Sequence, residues 1–424
     1  MAKARIFFWG KSAIDPKVRV PEFWSVAEFH STLLNKFVVV EKETTTATGT
    51  KIDRKRVPLS RWWLEKKDRY IHNGIIFDSK AEEVSEADEI NLWRGFAVEP
   101  VEGDWSLMRD HIRNVIANEE EKSADYIMRW LAWAIQNPTD PAETAIALGG
   151  GQGTGKGILG RSMRRAFGPH GLHISNSGLL TGRFNAHFMQ TSFLFADEAI
   201  WPGRRDDEGA LKRLVTEDTL AIEPKGVDTF AVPNCLKLFM ASNADWIVPA
   251  GIDDRRFAVF QVSEERKQDS QYFGRLQRQL DNGGLAAMLY HFQNWDLEGW
   301  HPRNNIPQTA IRQEQQERTM PPELKWLAGY LESGVLDWQH PKRSNWVEAG
   351  AFYEHARKAV QGLRFWTDID FARFLDKWSI VQRRSNGSWR AFPPLTELRA
   401  EWKRRFPTAR EFDPKISEWK HGER

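Results

Sequence analysis

The sequence is poor in cysteine, since Cys235 is the single cysteine in 424 residues. One thiol excludes an intramolecular disulfide framework, and it also excludes zinc ribbons and knuckles, which need several cysteine ligands. Such sparse cysteine usage fits a reducing compartment. We therefore expect an intracellular protein.

Long apolar runs and an excess of one charge are also missing. No stretch approaches the roughly 18 continuous apolar residues of a membrane helix. The apolar run at residues 6–9 is too short for a signal peptide. Lysine and arginine number 60 against 58 aspartates and glutamates, a net charge of +2, so the whole chain is not a polycation. These features predict a soluble cytoplasmic protein of about three domains that does not bind membranes.

A glycine-rich stretch dominates the middle of the chain. Residues 145–148 are apolar and predict a buried strand, and a helix is expected from Ile158 onward. Between them, Gly150, Gly155 and Lys156 fit the phosphate-loop pattern G-x4-G-K, in which backbone N–H groups and the lysine hold phosphate oxygens. The predicted nucleotide-binding residues are Gly150, Gly151, Gln152, Gly153, Thr154, Gly155, Lys156 and Gly157. Gly157 stands where the pattern has a magnesium-binding serine or threonine, so the ion would be held elsewhere.

Two later segments carry polar groups at strand ends. The apolar residues 193–196 predict a strand that ends in Asp197 and Glu198. In nucleotide-hydrolysing sites the aspartate at such a position orders Mg²⁺, and the glutamate polarises the attacking water. Asn243 follows a second predicted strand at residues 236–240, and its amide is placed to orient that water. We therefore expect an ATP site that uses Mg²⁺.

Two basic features between and after these strands have both a functional and a structural interpretation. Residues 219–223 and 228–232 alternate as strands and predict a hairpin with Lys225 at its tip. Lys225 is either a DNA contact or a solvated surface residue. Arg255 and Arg256 either complete the site of a neighbouring subunit as an arginine finger or form a structural pair with the preceding aspartates.

The regions before the glycine-rich stretch contain patterns of strands and helices and few candidate catalytic residues. Residues 1–95 are expected to form short strands, with a flexible polar stretch at 44–50. The stretches at 51–56 and 61–67 are basic, and the second contains Trp62 and Trp63. Basic residues beside aromatic rings can bind single strands. We favour the alternative, a solvated basic face with the two tryptophans in the core. Residues 104–136 predict one helical stretch, with apolar residues at 3.6-residue spacing towards its end.

The C-terminal part of the chain is basic. Residues 341–424 contain 18 lysines and arginines and 11 aspartates and glutamates, a net charge of +7. Predicted helices around a small hairpin indicate a winged-helix unit, in which cations contact DNA phosphates. The predicted DNA-binding residues here are Arg383, Arg384, Arg399, Lys403 and Arg404. The alternative is a solvated accessory or oligomerisation domain.

In this order, the motifs at 150–157, 193–198, Lys225, 240–243 and 255–256 resemble the superfamily 3 helicases, AAA+-related hexameric motors of viruses and mobile elements. The strongest resemblance is to the helicase part of phage and prophage primase–helicases, which show stretches like residues 91–100 and 180–187. The resemblance implies that Lys156 binds phosphate, Asp197 and Glu198 handle metal and water, Asn243 is a sensor and Lys225 tracks single-stranded DNA. An arginine from the adjacent subunit completes the site, and here it is Arg256 by preference or else Arg255.

The predicted fold class is α/β, with an AAA+-like P-loop ATPase core at residues 143–318. A small N-terminal α+β region at 1–95 and a helical collar-like segment at 96–142 precede it, and a winged-helix-like domain at 319–424 follows. About 90 N-terminal residues are too few for a primase domain, so a separate primase or polymerase is an expected partner, besides single-stranded and forked DNA.

The resemblance therefore predicts a replicative DNA helicase of a phage or related mobile element that moves 3′ to 5′, in the bacterial host cytoplasm if a phage encodes it. Two alternatives remain open. One is an origin-binding initiator that melts a specific site, and the other is a nucleotide-dependent assembly protein without productive hydrolysis, which Gly157 would favour.

Overall fold

The computed structural model describes residues 5–11, 19–46, 49–198, 205–224, 228–251, 254–407 and 409–422. The N-terminal elements are short strands and helices. In chain order they are β1 Ile6–Lys11, β2 Arg19–Trp24, α1 Val26–Thr32, β3 Phe37–Thr46, β4 Gly49–Pro58, α2 Leu59–Glu65, β5 Gly74–Ile76 and β6 Glu89–Asn91. Residues 44–50 were predicted to be flexible, but 44–46 and 49–50 belong to strands. β3 and β4 pair antiparallel from Phe37↔Pro58 to Thr46↔Gly49.

The middle of the chain alternates helices and strands. Its elements are α3 Ser106–Asp110, α4 Glu121–Gln136, β7 Ala145–Gly149, α5 Lys156–Phe167, β8 Gly171–Ile174, α6 Ser177–Thr181, β9 Phe193–Asp197, α7 Arg205–Thr216, β10 Thr219–Ile222, β11 Phe230–Pro233, β12 Lys237–Ser242, β13 Phe257–Gln261, α8 Ser270–Gln279, α9 Leu285–Gln293 and α10 Ala310–Thr319. The helix predicted over 104–136 is broken, since a π-helical segment at His111–Ile116 follows α3. Asn118 and Glu119 then have positive φ angles, which end the helical path before α4.

Five parallel strands form the central sheet, in the spatial order β13-β7-β12-β9-β8. Every residue of β7 and of β12 is buried, as expected for a parallel sheet covered on both faces. Alternate residues of β7 enter different cores, with Ile146 and Leu148 on one face and Ala145 and Ala147 on the other. Because β12 lies between β7 and β9, the carboxyl ends of these three strands meet at one edge of the sheet.

The C-terminal elements enclose a third core. They are α11 Pro322–Ser333, β14 Val335–Leu336, β15 Gln339–His340, β16 Arg343–Glu348, α12 Ala349–Ala359, α13 Asp368–Lys377, β17 Val381–Arg384, β18 Ser388–Ala391, α14 Leu395–Arg405 and β19 Lys420–His421. The core includes Trp326, Phe352 and Trp402 and draws its buried residues from this part of the chain. Four strands form a sheet in the order β15-β16-β18-β17.

Within the described ranges, no helix has both the length and the apolar character that crossing a bilayer requires.

Candidate functional site

The connection between β7 and α5 is a glycine loop, defined here as residues 150–155. Gly153 and Gly155 have φ angles of +79° and +95°, in the left-handed region where a side chain is strained. A Cβ atom at Gly155 would also lie 2.6 Å from the rings of His111 and Phe273. The loop therefore needs glycine for its backbone shape and for its close packing. Gln152 is exposed at the turn, while the Thr154 hydroxyl donates to Gly151 O at 3.0 Å.

Lys156, the first residue of α5, folds its side chain back over this loop. Its Nζ donates to Gly150 O at 2.6 Å, to Gly151 O at 2.7 Å and to Asn243 Oδ1 at 2.8 Å. Burial lowers the pKa of Lys156, and the nearby carboxylates of Asp197 and Glu198 oppose that shift. Its acceptors, which also include the Thr154 hydroxyl at 3.4 Å, are all uncharged, so a phosphate oxygen at the same place would be a stronger acceptor for the ammonium group.

Asn243 connects the lysine to an acidic residue on the neighbouring strand. Its Nδ2 donates to Glu198 Oε1 at 2.6 Å, while its Oδ1 accepts from Lys156. Glu198 follows the end of β9, has a φ angle of +54° and donates its N–H to Ala241 O at 2.8 Å. The left-handed residue turns the chain out of the sheet, and the Glu198 residue is exposed. Lys156, Asn243 and Glu198 thus form one hydrogen-bonded line across the carboxyl edge of the sheet.

Asp197 lies at the same edge with two cationic neighbours that sequence reasoning missed. Its carboxylate is 3.5 Å from an Arg161 nitrogen and 3.7 Å from His173 Nε2. Arg161 also covers Gly157, because a Cβ at Gly157 would lie 2.4 Å from its guanidinium. The space beside Gly157, which a serine or threonine side chain fills in the phosphate-loop pattern, therefore adjoins an arginine. The four-residue spacing of Gly157 and Arg161 on one helix face was the available signal.

The carboxyl edge of the sheet offers few protein ligands to a magnesium ion. Among the described residues, no group of three or more histidine, cysteine, aspartate or glutamate side chains is arranged to hold a metal. Mg²⁺ commonly keeps several waters and takes one or two carboxylates plus substrate phosphates. Asp197, half-buried at the end of β9, has the chemistry for that single carboxylate.

Residues from the helical segments hold the glycine loop from behind. His111 is fully buried, with Nε2 3.3 Å from Gly155 O and Nδ1 3.1 Å from the Tyr272 hydroxyl. Burial lowers the pKa of His111 to about 4, so its ring is neutral near pH 7. This pairing assigns the ring proton to Nε2, which donates to Gly155, and leaves Nδ1 to accept from Tyr272. On another side, Gln268 donates its N–H to Gly153 O at 2.9 Å.

Arg255 and Arg256 lie at the opposite edge of the sheet, just before β13. Arg256 is 3.5 Å from Asp254 Oδ2 and lies within 3.4 Å of the Thr216 hydroxyl. Arg255 is exposed, and within the described residues its side chain has no hydrogen bond or ion pair. The five residues of β13 span roughly 16 Å. Neither arginine is therefore placed to serve the glycine loop of its own chain.

The predicted hairpin is present as β10 and β11, which pair antiparallel from Thr219↔Pro233 to Ile222↔Phe230. Lys225, predicted at its tip, lies outside the described residues.

The predicted DNA-binding residues of the C-terminal region fall into two groups. Arg383 and Arg384 are exposed on β17. On α14, Arg404 makes two bonds of 2.7 and 2.8 Å to the Glu401 carboxylate, and Lys403 lies 3.5 Å from Glu411. These partners already neutralise much of the positive charge on α14.

Arg399 differs from the other basic residues of α14 in its partners. Its guanidinium donates to Leu331 O at 2.6 Å and to Asp413 O at 2.9 Å, and it also bonds to Ile416 O. This arginine connects α14 to α11 and to the following loop, so its guanidinium is already engaged within the chain, and its DNA contact stays a prediction. The basic residues of a helix looked equivalent in the sequence, and only the tertiary structure separates them.

Comparison with known proteins finds similarity to a family of unknown function and to a phage protein. Residues 148–256 match a family described as a family of unknown function (DUF5906). The chain is 25% identical over 167 residues to the DNA Primase-polymerase of Nitratiruptor phage NrS-1, which covers 38% of this chain and 23% of that protein. The match thus spans about a quarter of the relative's length.

Solved structures of the NrS-1 C-terminal region have a similar fold. The apo structure of residues 305–718 aligns with a TM-score of 0.54 at 18% identity, covering 92% of this chain and 91% of that one. An A form apo structure of the same region aligns with a TM-score of 0.53 at 20% identity, covering 72% and 77%. At these identities the likeness concerns the fold alone. The family match includes the glycine loop, Glu198, Asn243 and both arginines.

Proposed function

We propose that this chain is an ATP-hydrolysing motor of phage DNA replication, with a P-loop ATPase core of the AAA+ type that acts as a helicase. One observation carries the proposal: Lys156, Asn243 and Glu198, predicted from three separate motifs, form a hydrogen-bonded line at one edge of a parallel sheet. That edge, outside the carboxyl ends of the strands, is where open α/β sheets bind ligands.

Each member of this line has a role in hydrolysis. The Lys156 ammonium exchanges loop carbonyls for the β- and γ-phosphate oxygens of ATP, and the N-terminus of α5 adds its dipole at the same point. Glu198 accepts a proton from the attacking water. Asn243 contacts both residues, so its amide can orient the water and report the state of the γ-phosphate.

Asp197 and Arg161 complete the charge around the phosphates. A bound Mg²⁺ would neutralise charge on the phosphate oxygens, and Asp197 is the residue to hold it through water. Arg161, 3.5 Å from Asp197, supplies a fixed positive charge beside Gly157. In the proposed mechanism this arginine offsets the missing hydroxyl at position 157.

The arginine finger is proposed to act between subunits. Arg255 and Arg256 lie across the sheet from the glycine loop of their own chain, so a ring of subunits is the arrangement in which they reach a site. Arg255 is the better candidate of the two, because Arg256 is engaged by Asp254 and Thr216. A hexamer is the ring size that the resemblance to superfamily 3 helicases favours.

Single-stranded DNA is the proposed track, and the host cytoplasm is the proposed location. The similarity to a phage protein named a DNA primase-polymerase supports a role in DNA replication. That name also supports a second candidate, primer synthesis by this chain itself. Labelled nucleotide incorporation on a bare template separates the two: incorporation by the purified chain would favour primer synthesis over a motor.

ATP hydrolysis with and without single-stranded DNA tests the proposal. We expect turnover in Mg²⁺ that DNA stimulates, and we expect Glu198→Gln to bind ATP but to hydrolyse it roughly 100-fold more slowly or worse. Glu217→Gln, a glutamate outside the site, is the matched control. A Glu198→Gln protein with normal turnover would remove Glu198 from its role as the base.

Mixing variant with wild-type protein tests whether Arg255 acts as an arginine finger between subunits. Arg255→Ala added to wild type should reduce turnover by more than dilution, because each mutant subunit also disables its neighbour's site. Arg256→Ala is the comparison. Turnover that falls only in proportion to the wild-type fraction would contradict a finger that acts between subunits.

A further inference from the structure

One face of the C-terminal sheet is covered by aromatic and cationic side chains, of which only Arg383 has so far been given a role. In the antiparallel pair of β16 and β18, Trp346 is opposite Ala391 and Trp389 is opposite Glu348. Side chains two positions apart on paired strands lie on one face, so the two tryptophans are diagonal neighbours there. Arg383, on β17, pairs directly with Trp389 and shares this face. The term tryptophan face is used below for His340, Arg343, Trp346, Arg383 and Trp389.

The opposite face of the same sheet belongs to the core. Val347 and Arg390 pair across β16 and β18 and are both buried. The Arg390 guanidinium is held by Asp376 at 3.0 Å. On the tryptophan face, by contrast, both indoles are partly exposed and Arg383 is exposed. The sheet is therefore one-sided, with large aromatic rings on its solvent side.

The aromatic rings of the tryptophan face form one cluster. The His340 ring lies 4.6 Å from Trp389 and 6.0 Å from Trp346, edge-on to both. The Arg343 guanidinium lies 4.3 Å above the Trp346 ring. The Trp389 indole N–H donates to Ser385 O at 2.8 Å, which fixes this ring against the β17–β18 turn. The rings are thus held in place before any ligand binds.

The cations of this face lack acidic partners. Arg343 and Arg383 are exposed, and within the described ranges neither of them forms an ion pair. Glu348, the acidic residue on the paired strands, turns its carboxylate to the N-terminus of α12, where it accepts from Gly350 N at 3.1 Å. The face is therefore a positive surface, and the carboxylate of Glu348, the acidic residue on the described strands of this sheet, is already hydrogen-bonded to α12.

We propose that the tryptophan face binds single-stranded nucleic acid, with bases stacked on Trp346 and Trp389 and phosphates held by Arg343 and Arg383. Aromatic platforms beside cations are how proteins bind single strands without reading their sequence. Diagonal neighbours on a sheet are about 7–8 Å apart, whereas stacked bases in a duplex rise only about 3.4 Å per step along each strand. The face therefore suits separated bases better than duplex DNA.

The inference rests on the proposed function only in its choice of nucleic acid as partner, because the face needs no ATP. Binding of labelled oligo(dT) and of a blunt duplex is measured without nucleotide by fluorescence anisotropy. Replacing Trp346 or Trp389 by leucine removes the flat ring but keeps apolar volume. We expect each leucine variant to lose roughly 5- to 100-fold in affinity for oligo(dT), with little change for the duplex. Phenylalanine at either position should restore most of the binding.

The arginines provide a second readout. Arg383→Gln should lower the slope of log affinity against log salt by about 0.7 for oligo(dT), the share of one single-strand phosphate contact. Arg404→Gln, which removes an already paired cation of the same domain, should change the slope less. Leucine variants that bind oligo(dT) like wild type, or that lose duplex and single-strand binding equally, would overturn the proposal.

ATP turnover in the absence of DNA is recorded on the same proteins. Oligo(dT) binding that does not depend on the tryptophans, together with intact turnover, would refute the tryptophan face alone. Absent turnover with tryptophan-dependent binding would instead refute the proposed motor and leave the face standing.

Discussion

Two lysines lie at opposite edges of the central sheet, and both are almost completely shielded from solvent. Lys156, at the carboxyl edge, has 7% of its surface exposed, and Lys237, at the amino edge, has 0%. Lys156 donates to two backbone carbonyls of the glycine loop and to Asn243. The two side chains are alike in their small exposed surface, and each ammonium group donates at least three hydrogen bonds.

The partners of Lys237 differ in kind from those of Lys156. Its Nζ donates to Pro138 O at 2.6 Å, Cys235 O at 3.0 Å and Ser192 Oγ at 3.3 Å, and it lies 5.9 Å from the Trp133 ring. These partners are all buried or half-buried, whereas Lys156 is joined through Asn243 to the exposed Glu198. A buried lysine is thus a candidate for function when its acceptors can be exchanged for a ligand, and a structural residue when they cannot.

Removing each lysine in turn is the strongest way to break this comparison. Lys156→Ala should reduce ATP turnover by at least about 100-fold, because the γ-phosphate loses its main cationic partner. Lys237→Ala, assayed below its unfolding temperature, should keep most of the turnover. Steady-state phosphate release from both variants checks this, and equal losses would show that burial alone explains Lys156.

Stability should respond in the opposite order. Lys237→Ala leaves a cavity and takes the donor from Cys235 O, while Pro138 O keeps only the Ser192 hydroxyl, so we expect a loss of roughly 3–5 kcal/mol in the free energy of unfolding. Lys156→Ala should cost less, about 1–2 kcal/mol, since its acceptors lie in a loop that reaches water. Urea midpoints followed by far-UV circular dichroism compare the two. A larger shift for Lys156→Ala would reverse the assignment.

The sequence separates the two lysines for one reason only. Lys156 belongs to a local pattern of glycines, while the acceptors of Lys237 come from residues that are up to 99 positions away. Local patterns likewise made the alternating strands and helices of the core predictable. They also predicted that Lys156, at the start of α5, would meet Glu198 and Asn243, which follow strand ends. His111, Arg161 and the carbonyls around Arg399 were not, because those contacts depend on packing between distant segments.

The pH dependence of the free energy of unfolding tests the burial of Lys237 with a smaller expected effect. Burial lowers its pKa from 10.5 to about 7. Above pH 7 the unfolded chain therefore binds a proton that the folded chain has lost, and stability rises with pH. Between pH 7.5 and 8.5 the rise should be about 1 kcal/mol in wild type and absent in Lys237→Met. Urea titrations at both pH values measure it.

Other buried groups define that pH window. Burial lowers the pKa of His111 and His170 to about 4, so their stabilisation with rising pH is complete above pH 6.5. Burial raises the pKa of Cys235 from 9.0 to about 11, which makes stability fall between those values and offsets the lysine above pH 9. A flat wild-type profile from pH 7.5 to 8.5 would mean that Lys237 keeps its proton in the folded state.

The smallest effect concerns the support of the glycine loop. His111→Phe keeps a buried ring but removes the bonds to Gly155 O and to the Tyr272 hydroxyl. One hydrogen bond contributes about 0.5–1.5 kcal/mol, so KM for ATP should rise roughly 2- to 10-fold, with a smaller change in kcat. His291→Phe, on α9, is the matched control. Because the His111 ring is neutral near pH 7, the effect should be the same at pH 6.5 and pH 8. If KM stays unchanged, the loop keeps its shape through its glycines alone, and the exchangeable partners of Lys156 need no support from the helical segments.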